Sequence, residues 1–194
     1  MRIVGGLLRG TALAAVGTGD PAAHLRPTTD RVRESLFNIL TQGRGGDLVT
    51  GRRVLDLFAG TGAMGLEALS RGAETVTFVE NGRAAQALLG RNIDLCHARG
   101  AVRVLRADAT RLPPGTPHDL LFLDPPYGRG LGPQALAAAA RQGWLAPGAR
   151  VVWEEGGAVT PPVWLQPDDR RRFGGTHVLI ATVVAPVPPP DQSE

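Results

Sequence analysis

Val54-Leu55-Asp56-Leu57-Phe58-Ala59-Gly60-Thr61-Gly62-Ala63-Met64-Gly65 reads as a buried strand that runs into a glycine-rich turn and then into a helix. The apolar run is of strand length, and the closely spaced glycines allow a tight turn and a close backbone approach to a ligand. A second stretch, Leu120-Leu121-Phe122-Leu123-Asp124-Pro125-Pro126-Tyr127, reads as another buried strand that delivers an acid, two prolines and an aromatic ring to its end. The first is a cradle for a nucleoside cofactor, and the second is a clamp for a planar amine.

Short apolar runs recur around these two. Val54–Phe58, Val76–Val79, Val102–Leu105, Leu120–Leu123 and Val151–Trp153 have the length of buried strands, and Ala63–Arg71, Ala84–His97 and Pro133–Gln142 between them read as helices. This alternation predicts an α/β fold with a mainly parallel sheet covered on both faces. Val163–Leu165 and Val178–Val184 add two strands, and a tight return through Arg170-Arg171-Arg172-Phe173-Gly174-Gly175 would pair them antiparallel at one edge, seven strands in all. A chain of 194 residues holds one such core plus appendages. The expected layout is an N-terminal hairpin and connection over 1–25, the main domain over 26–185 and a proline-rich, disordered tail over 186–194.

Arg2 to Ala15, broken by Gly5-Gly6 and Gly10, suits a small exposed hairpin seated by Leu7, Leu8 and Leu13 with Arg2 and Arg9 outward. Next comes Arg26-Pro27-Thr28-Thr29-Asp30-Arg31-Val32-Arg33-Glu34-Ser35-Leu36-Phe37-Asn38-Ile39-Leu40. Thr28 or Thr29 can cap a helix there, Asp30 suits its positive end, and Val32, Leu36, Ile39 and Leu40 share a face, leaving Arg26, Arg31 and Arg33 to point elsewhere. All 21 basic residues are Arg, and the 53 residues before Val54 carry eight of them against Asp20, Asp30, Glu34 and Asp47. The whole chain is only +3. A basic segment on a near-neutral body fits a polyanion partner, because the Arg fork pairs with phosphates and stacks on bases, although a solvated basic face has the same composition.

Gly60-Thr61-Gly62-Ala63-Met64-Gly65 matches the dinucleotide fingerprint, and Glu80 follows where a ribose-binding acid would stand. A carboxylate at Asp56 beside the turn repels a pyrophosphate and welcomes the ammonium of a methionyl group. Asp56, Gly60, Gly62 and Glu80 together favour S-adenosylmethionine over NAD, with Glu80 accepting from the two ribose hydroxyls. Asp108, at the end of the third run, can accept from the adenine amine while the backbone N–H of Ala109 reads the ring edge; a strand-end Asp that caps the next loop is the equal alternative.

Asp124-Pro125-Pro126-Tyr127 is the most specific signal in the chain. The prolines fix the backbone and donate no N–H, which leaves carbonyls free to accept. An exocyclic amine on an aromatic ring is a poor nucleophile because its lone pair is delocalised. Asp124 and the Pro125 carbonyl can accept its two N–H bonds and orient the lone pair, Pro126 holds the turn, and Tyr127 offers a face for an unstacked base. His24, His97, His118 and His177 are scattered, Cys96 is alone, and Trp144, Trp153 and Trp164 suit core packing, so no metal site is expected. No run has the length of a signal peptide or a membrane span, which makes the cytoplasm the expected compartment.

With these residues in hand, the chain resembles the RsmD family of bacterial 16S rRNA (guanine-N2) methyltransferases. Arg2-Ile3-Val4-Gly5-Gly6 with Arg9-Gly10, the block from Arg26 to Asn38, Asp56 to Gly62, and Asp124 to Tyr127 carry the resemblance, and the Arg-Pro-Thr-Thr-Asp-Arg-Val-Arg-Glu block is its most family-specific part. The resemblance implies a class I S-adenosylmethionine-dependent methyltransferase fold with an RNA-contacting N-terminal hairpin. It also implies one methylated guanine in an assembled or assembling small ribosomal subunit, a monomer, and RNA contacts from Arg2, Arg9, Arg26, Thr28, Arg31 and Arg33. The chain departs from the family pattern in lacking Lys in the hairpin, in the connection around Gly43–Gly51 and in its tail. A DNA adenine-N6 methyltransferase would use the same Asp-Pro-Pro-Tyr chemistry but needs a target-recognition domain for which this chain has no room. An RNA-binding assembly factor with a vestigial cofactor site and an NAD-dependent oxidoreductase are the remaining alternatives.

Overall fold

The computed structural model describes residues 1–15, 29–43 and 45–184, so Arg26, Thr28 and the expected tail lie outside the described residues. Seven strands form one sheet: β1 Arg53–Leu57, β2 Thr75–Val79, β3 Val102–Leu105, β4 His118–Leu123, β5 Leu145–Glu155, β6 Leu165–Phe173 and β7 Thr176–Val183. Their order is β3-β2-β1-β4-β5-β7-β6, with the first five parallel and β7 antiparallel to both neighbours. Four helices accompany it: α1 Asp30–Gln42, α2 Ala63–Ser70, α3 Arg83–Leu95 and α4 Leu131–Arg141. This is the expected α/β fold, and the strand order reverses direction between β1 and β4, where open α/β sheets bind their ligands.

Alternation along the strands divides the core by sheet face. Val54, Leu120, Phe122, Val152, Val178 and Ile180 pack with α1, α2 and α3, and the Phe37 and Phe122 rings lie 5.5 Å apart. Leu55, Leu57, Leu121, Leu123, Val151 and Trp153 pack on the other face with α4 and Trp144. His118 is part of this structure: its buried ring reaches Thr116 O at 2.8 Å and Thr77 Oγ1 at 2.9 Å, and it stacks on Trp144. Cys96 and all three Trp residues are buried.

Several boundaries differ from the sequence reading. Val102–Leu105 is an edge strand with Val104 exposed, because β3 has β2 as its only neighbour. Val163 is exposed and outside β6, and Arg170 to Phe173 belong to that strand, so the return is made by Gly174-Gly175 alone. Residues 1–15 fold back on themselves through one antiparallel bridge, Arg2 to Ala12, flanked by bonds from Ile3 N–H to Thr11 O and from Leu13 N–H to Met1 O, and lie as an arm against α2. Ile3 and Leu13 seat the arm, while Leu7, expected to do so, is 93% exposed.

Candidate active site

β1 ends at Leu57, and the next residue, Phe58, takes φ 59°, a left-handed conformation rare outside glycine and a form of strain characteristic of binding turns. Gly60 and Gly62 follow at φ 56° and 78°, where a side chain would be strained. Gly62 is the N-cap of α2 but has no side chain to cap it. Asp56 supplies the cap from the strand: its Oδ2 accepts the Gly65 N–H at 3.0 Å. Gly65 is also where α2 presses on β2, since a Cβ there would collide with the Phe78 ring. The turn is tied across the sheet by Glu80, whose Oε2 accepts the Gly60 N–H at 2.8 Å and whose Oε1 accepts the Gly82 N–H at 2.7 Å. Glu80 is buried, so it holds the turn as well as standing where the sequence puts a ribose acceptor.

At the end of β3, Asp108 caps a one-turn 3-10 helix over Ala109–Arg111, with its Oδ1 accepting the Thr110 N–H at 2.8 Å and the Thr110 hydroxyl at 2.7 Å. The capping alternative therefore describes Oδ1, and Oδ2 carries no hydrogen bond from a described residue.

β4 delivers Asp124 one residue beyond its end, and no donor among the described residues reaches that carboxylate. Pro125 is buried behind it and Pro126 is exposed. The Tyr127 ring rests against Gly156, where a Cβ would come within 2.9 Å of it, and its hydroxyl lies 3.3 Å from Thr176 Oγ1. A cleft of about 730 Å³ opens beside the ring, between the loops after β4 and β5, with Trp153 and Glu155 in its wall. Sequence reasoning missed the acids of β5. Glu154 is buried, and Glu155 is half-buried with its Oε1 3.1 Å from the Gly156 N–H.

These carboxylates set the electrostatics. Burial pushes the Asp56 carboxyl up to about 8 against the opposing Gly65 N–H bond, with Glu80 and Glu154 adding to the rise. Burial likewise raises Asp124 well above the ordinary carboxylate range, reinforced by Glu154, Asp56 and Glu155. The Tyr127 hydroxyl is pushed up to about 12 by burial, so it stays protonated. The end of the sheet at β1, β4 and β5 thus gathers partly dry carboxyls that hold their protons more tightly than usual, and a cation bound beside them would favour their ionised forms.

Residues 1–182 match the family described as conserved hypothetical protein 95. The chain belongs to this family, the RsmD family. It is 41% identical over 167 residues to ribosomal RNA small subunit methyltransferase D of Escherichia coli, covering 84% of this chain and 79% of that protein. The protein of the same name from Haemophilus influenzae is 36% identical over 172 residues, with 84% of each covered. Among solved structures, yhhF from Escherichia coli superposes with a TM-score of 0.82 at 37% identity, covering 95% of this chain and 98% of that one. An RNA methyltransferase from Salinibacter ruber, solved with S-adenosyl-L-homocysteine, shares the fold at 19% identity and a TM-score of 0.64, covering 87% of this chain and 99% of that one. The fold is that of class I S-adenosylmethionine-dependent methyltransferases.

In this RsmD-family chain the basic segment divides in two. Arg2, Arg9 and Arg31 are exposed. Arg33 is fully buried, contrary to the outward position read from the sequence: it donates to Arg2 O, pairs with Asp30 Oδ1 at 2.7 Å and lies 3.5 Å from Glu67. Glu67, on α2, also accepts the Val4 and Gly5 N–H groups at 2.8 Å each and Arg71 Nε at 2.8 Å. Arg33 therefore anchors the arm to α2 and is withdrawn from nucleic acid. Buried Asn92, on α3, accepts the Ala14 N–H at 2.7 Å and donates to Thr61 O at 2.9 Å, joining the arm to the glycine turn.

Proposed function

We propose that this protein transfers a methyl group from S-adenosylmethionine to the exocyclic N2 of a guanine in 16S rRNA, within an assembled or assembling small ribosomal subunit. The observation that carries the reading is the Asp124 carboxylate, half-buried beside Tyr127 and unengaged by any donor among the described residues, across β1 from the Asp56 and Gly60 turn. The names of the Escherichia coli and Haemophilus influenzae relatives support small-subunit rRNA as the substrate.

The residues fit the cofactor. Asp56 Oδ1 has no donor among the described residues and suits an ammonium, the α2 N-terminus suits the methionyl carboxylate, and the turn through Gly60 and Gly62 leaves no Cβ in the way. Glu80 accepts from the ribose, and Asp108 Oδ2 with the Ala109 N–H meets the adenine. The bound cofactor supplies an electrophilic methyl group on a sulfonium. Asp124 and the Pro125 carbonyl accept the two N–H bonds of the acceptor amine, aim its lone pair and stabilise the charge it gains. As the N–C bond forms and the S–C bond breaks, the amine loses one proton to Asp124, which passes it to water. Tyr127 stacks on the base, and the cleft beside it has the volume of a small-molecule pocket. Arg2 and Arg9 in the N-terminal part, 1–25, and Arg26, Thr28 and Arg31 at the start of the main domain, 26–185, hold the RNA, and 186–194 is the tail. The protein acts as a monomer in the cytoplasm.

The test is a map of methylated nucleotides in rRNA from cells lacking the protein. One N2-methylguanine disappears, returns with the wild-type gene and stays absent with Asp124→Ala. An rRNA methylation pattern unchanged by the deletion refutes the reading.

A further inference from the structure

The strand register places Glu154 beside Asp124. β4 and β5 run parallel with Phe122 opposite Val152 and Leu123 opposite Trp153, and one more step sets Asp124 opposite Glu154. Phe122 and Val152 face the α1–α3 side of the sheet, so by alternation Asp124 and Glu154 face that side too. Asp56 joins them there, because its register partner on β4 is Phe122. Three carboxylates on three adjacent strands therefore share one face. Glu154 is as enclosed as Asp56, at 3% and 4% exposed, and is held in the middle of the sheet between β4 and β7, where it pairs with Val178. Glu155 points to the opposite face with Trp153, toward the cleft.

We propose that Glu154 is a positioning residue that acts through Asp124, holding its neighbour's carboxylate as a strong hydrogen-bond acceptor and as the group that takes the amine proton before water does. The inference rests on the methyl-transfer reading. The reasoning is electrostatic. A sulfonium and an ammonium bound next to Asp124 draw down its basicity just when it must accept N–H bonds and then a proton. A buried negative charge fixed one strand away offsets that pull. It does so without touching the acceptor base, since Glu154 is enclosed within the sheet between β4 and β7. Among the described residues, the titratable groups that bear on Asp124 are Asp56 from β1 and Glu154 on its own face, Glu155 from the opposite face and Tyr127 from its own loop; of the charged ones Glu154 raises its proton affinity most.

The experiment reads Asp124 itself and needs no RNA. The full-length protein carrying 13C-labelled aspartate carboxyls is titrated by NMR, with the Asp124 signal assigned by its loss in Asp124→Asn. In Glu154→Gln the Asp124 midpoint moves down by about one pH unit or more, because one charge is removed at neighbouring-strand distance. In Glu155→Gln, on the opposite face, it moves by less than half as much. Glu154→Asp, which keeps the charge, restores most of the wild-type midpoint and serves if the glutamine variant does not fold. On small subunits, the acid limb of the kcat/KM profile of Glu154→Gln follows the same downward shift. A midpoint in Glu154→Gln within about 0.3 unit of wild type, or an equal shift in Glu155→Gln, overturns the proposal. An absence of methyl transfer by wild-type protein would count against the substrate reading alone, because the NMR titration still decides the role of Glu154.

Discussion

Asp56 does two jobs with two oxygens. Oδ2 caps α2 through the Gly65 N–H, and Oδ1 is the oxygen proposed to pair with the cofactor ammonium. Its carboxyl stands at about 8 in the fold against an ordinary value of 3.8. A raised carboxyl makes the folded state the better proton binder between those values, so its contribution to stability is present at low pH and is lost as pH rises toward 8. Thermal unfolding of the cofactor-free protein should therefore weaken from pH 6 to pH 8.5, and Asp56→Asn should flatten part of that slope while keeping the bond to Gly65. Pairing with an ammonium needs the ionised form, so cofactor affinity measured by calorimetry should tighten several-fold between pH 6 and pH 7.5. Asp56→Asn should bind about 10- to 100-fold more weakly with no such trend, as expected for a lost charge-assisted bond. Asp124→Asn should leave cofactor binding within about twofold and lower turnover on small subunits about a hundred- to a thousandfold, which single-turnover kinetics would read. Asp56 and Asp124 were legible in the sequence because each stands against a turn that only its own residue types can form. Glu154-Glu155 was not, because a pair of acids at a strand end reads as solvated until β5 is known to lie beside β4.

The N-terminal arm and α1 show the opposite balance. Their arginines were visible, but Glu67 on α2 lies about 60 residues from Val4 and Gly5 and about half that from Arg33, and only its pairing with Arg71 follows a local pattern. Glu67→Ala would leave a buried guanidinium and two backbone donors without their acceptor. That should cost about 3–5 kcal/mol and lower Tm by about 10 °C in a domain of this size, as differential scanning calorimetry would show. Arg33→Ala should likewise act on stability. Replacing exposed Arg9 and Arg31 together with Arg26 by Ala should instead leave Tm and cofactor affinity alone. It should weaken small-subunit binding and flatten its dependence on log salt concentration by about two to three units, measured by filter binding across a salt series. The same arm is joined to the glycine turn through Asn92, so the element proposed to face nucleic acid is built onto the one proposed to hold the cofactor.

Across the described residues, continuous apolar runs and helical ones were enough to place six of the seven strands and the four helices, since buried parallel strands are continuous apolar runs and the helices between them are amphipathic; the polar edge strand β6 meets its expected run only at Leu165. The order of the strands was not legible, because neighbours such as β4 and β1 are far apart in sequence. That order is what makes a site of the two stretches: β1 and β4 lie side by side at the point where the sheet reverses direction, and their turns open on the same edge. The proposed cofactor cradle, with Asp56 in it, and the proposed amine clamp meet there. Purified protein, S-adenosylmethionine labelled in its methyl group and small subunits from cells lacking the protein test this in one reaction, with the product digested to nucleosides. Label should appear as N2-methylguanosine, close to one per subunit, and vanish with Asp124→Ala. Label in N6-methyladenosine, or no label in RNA from wild-type protein, would contradict it.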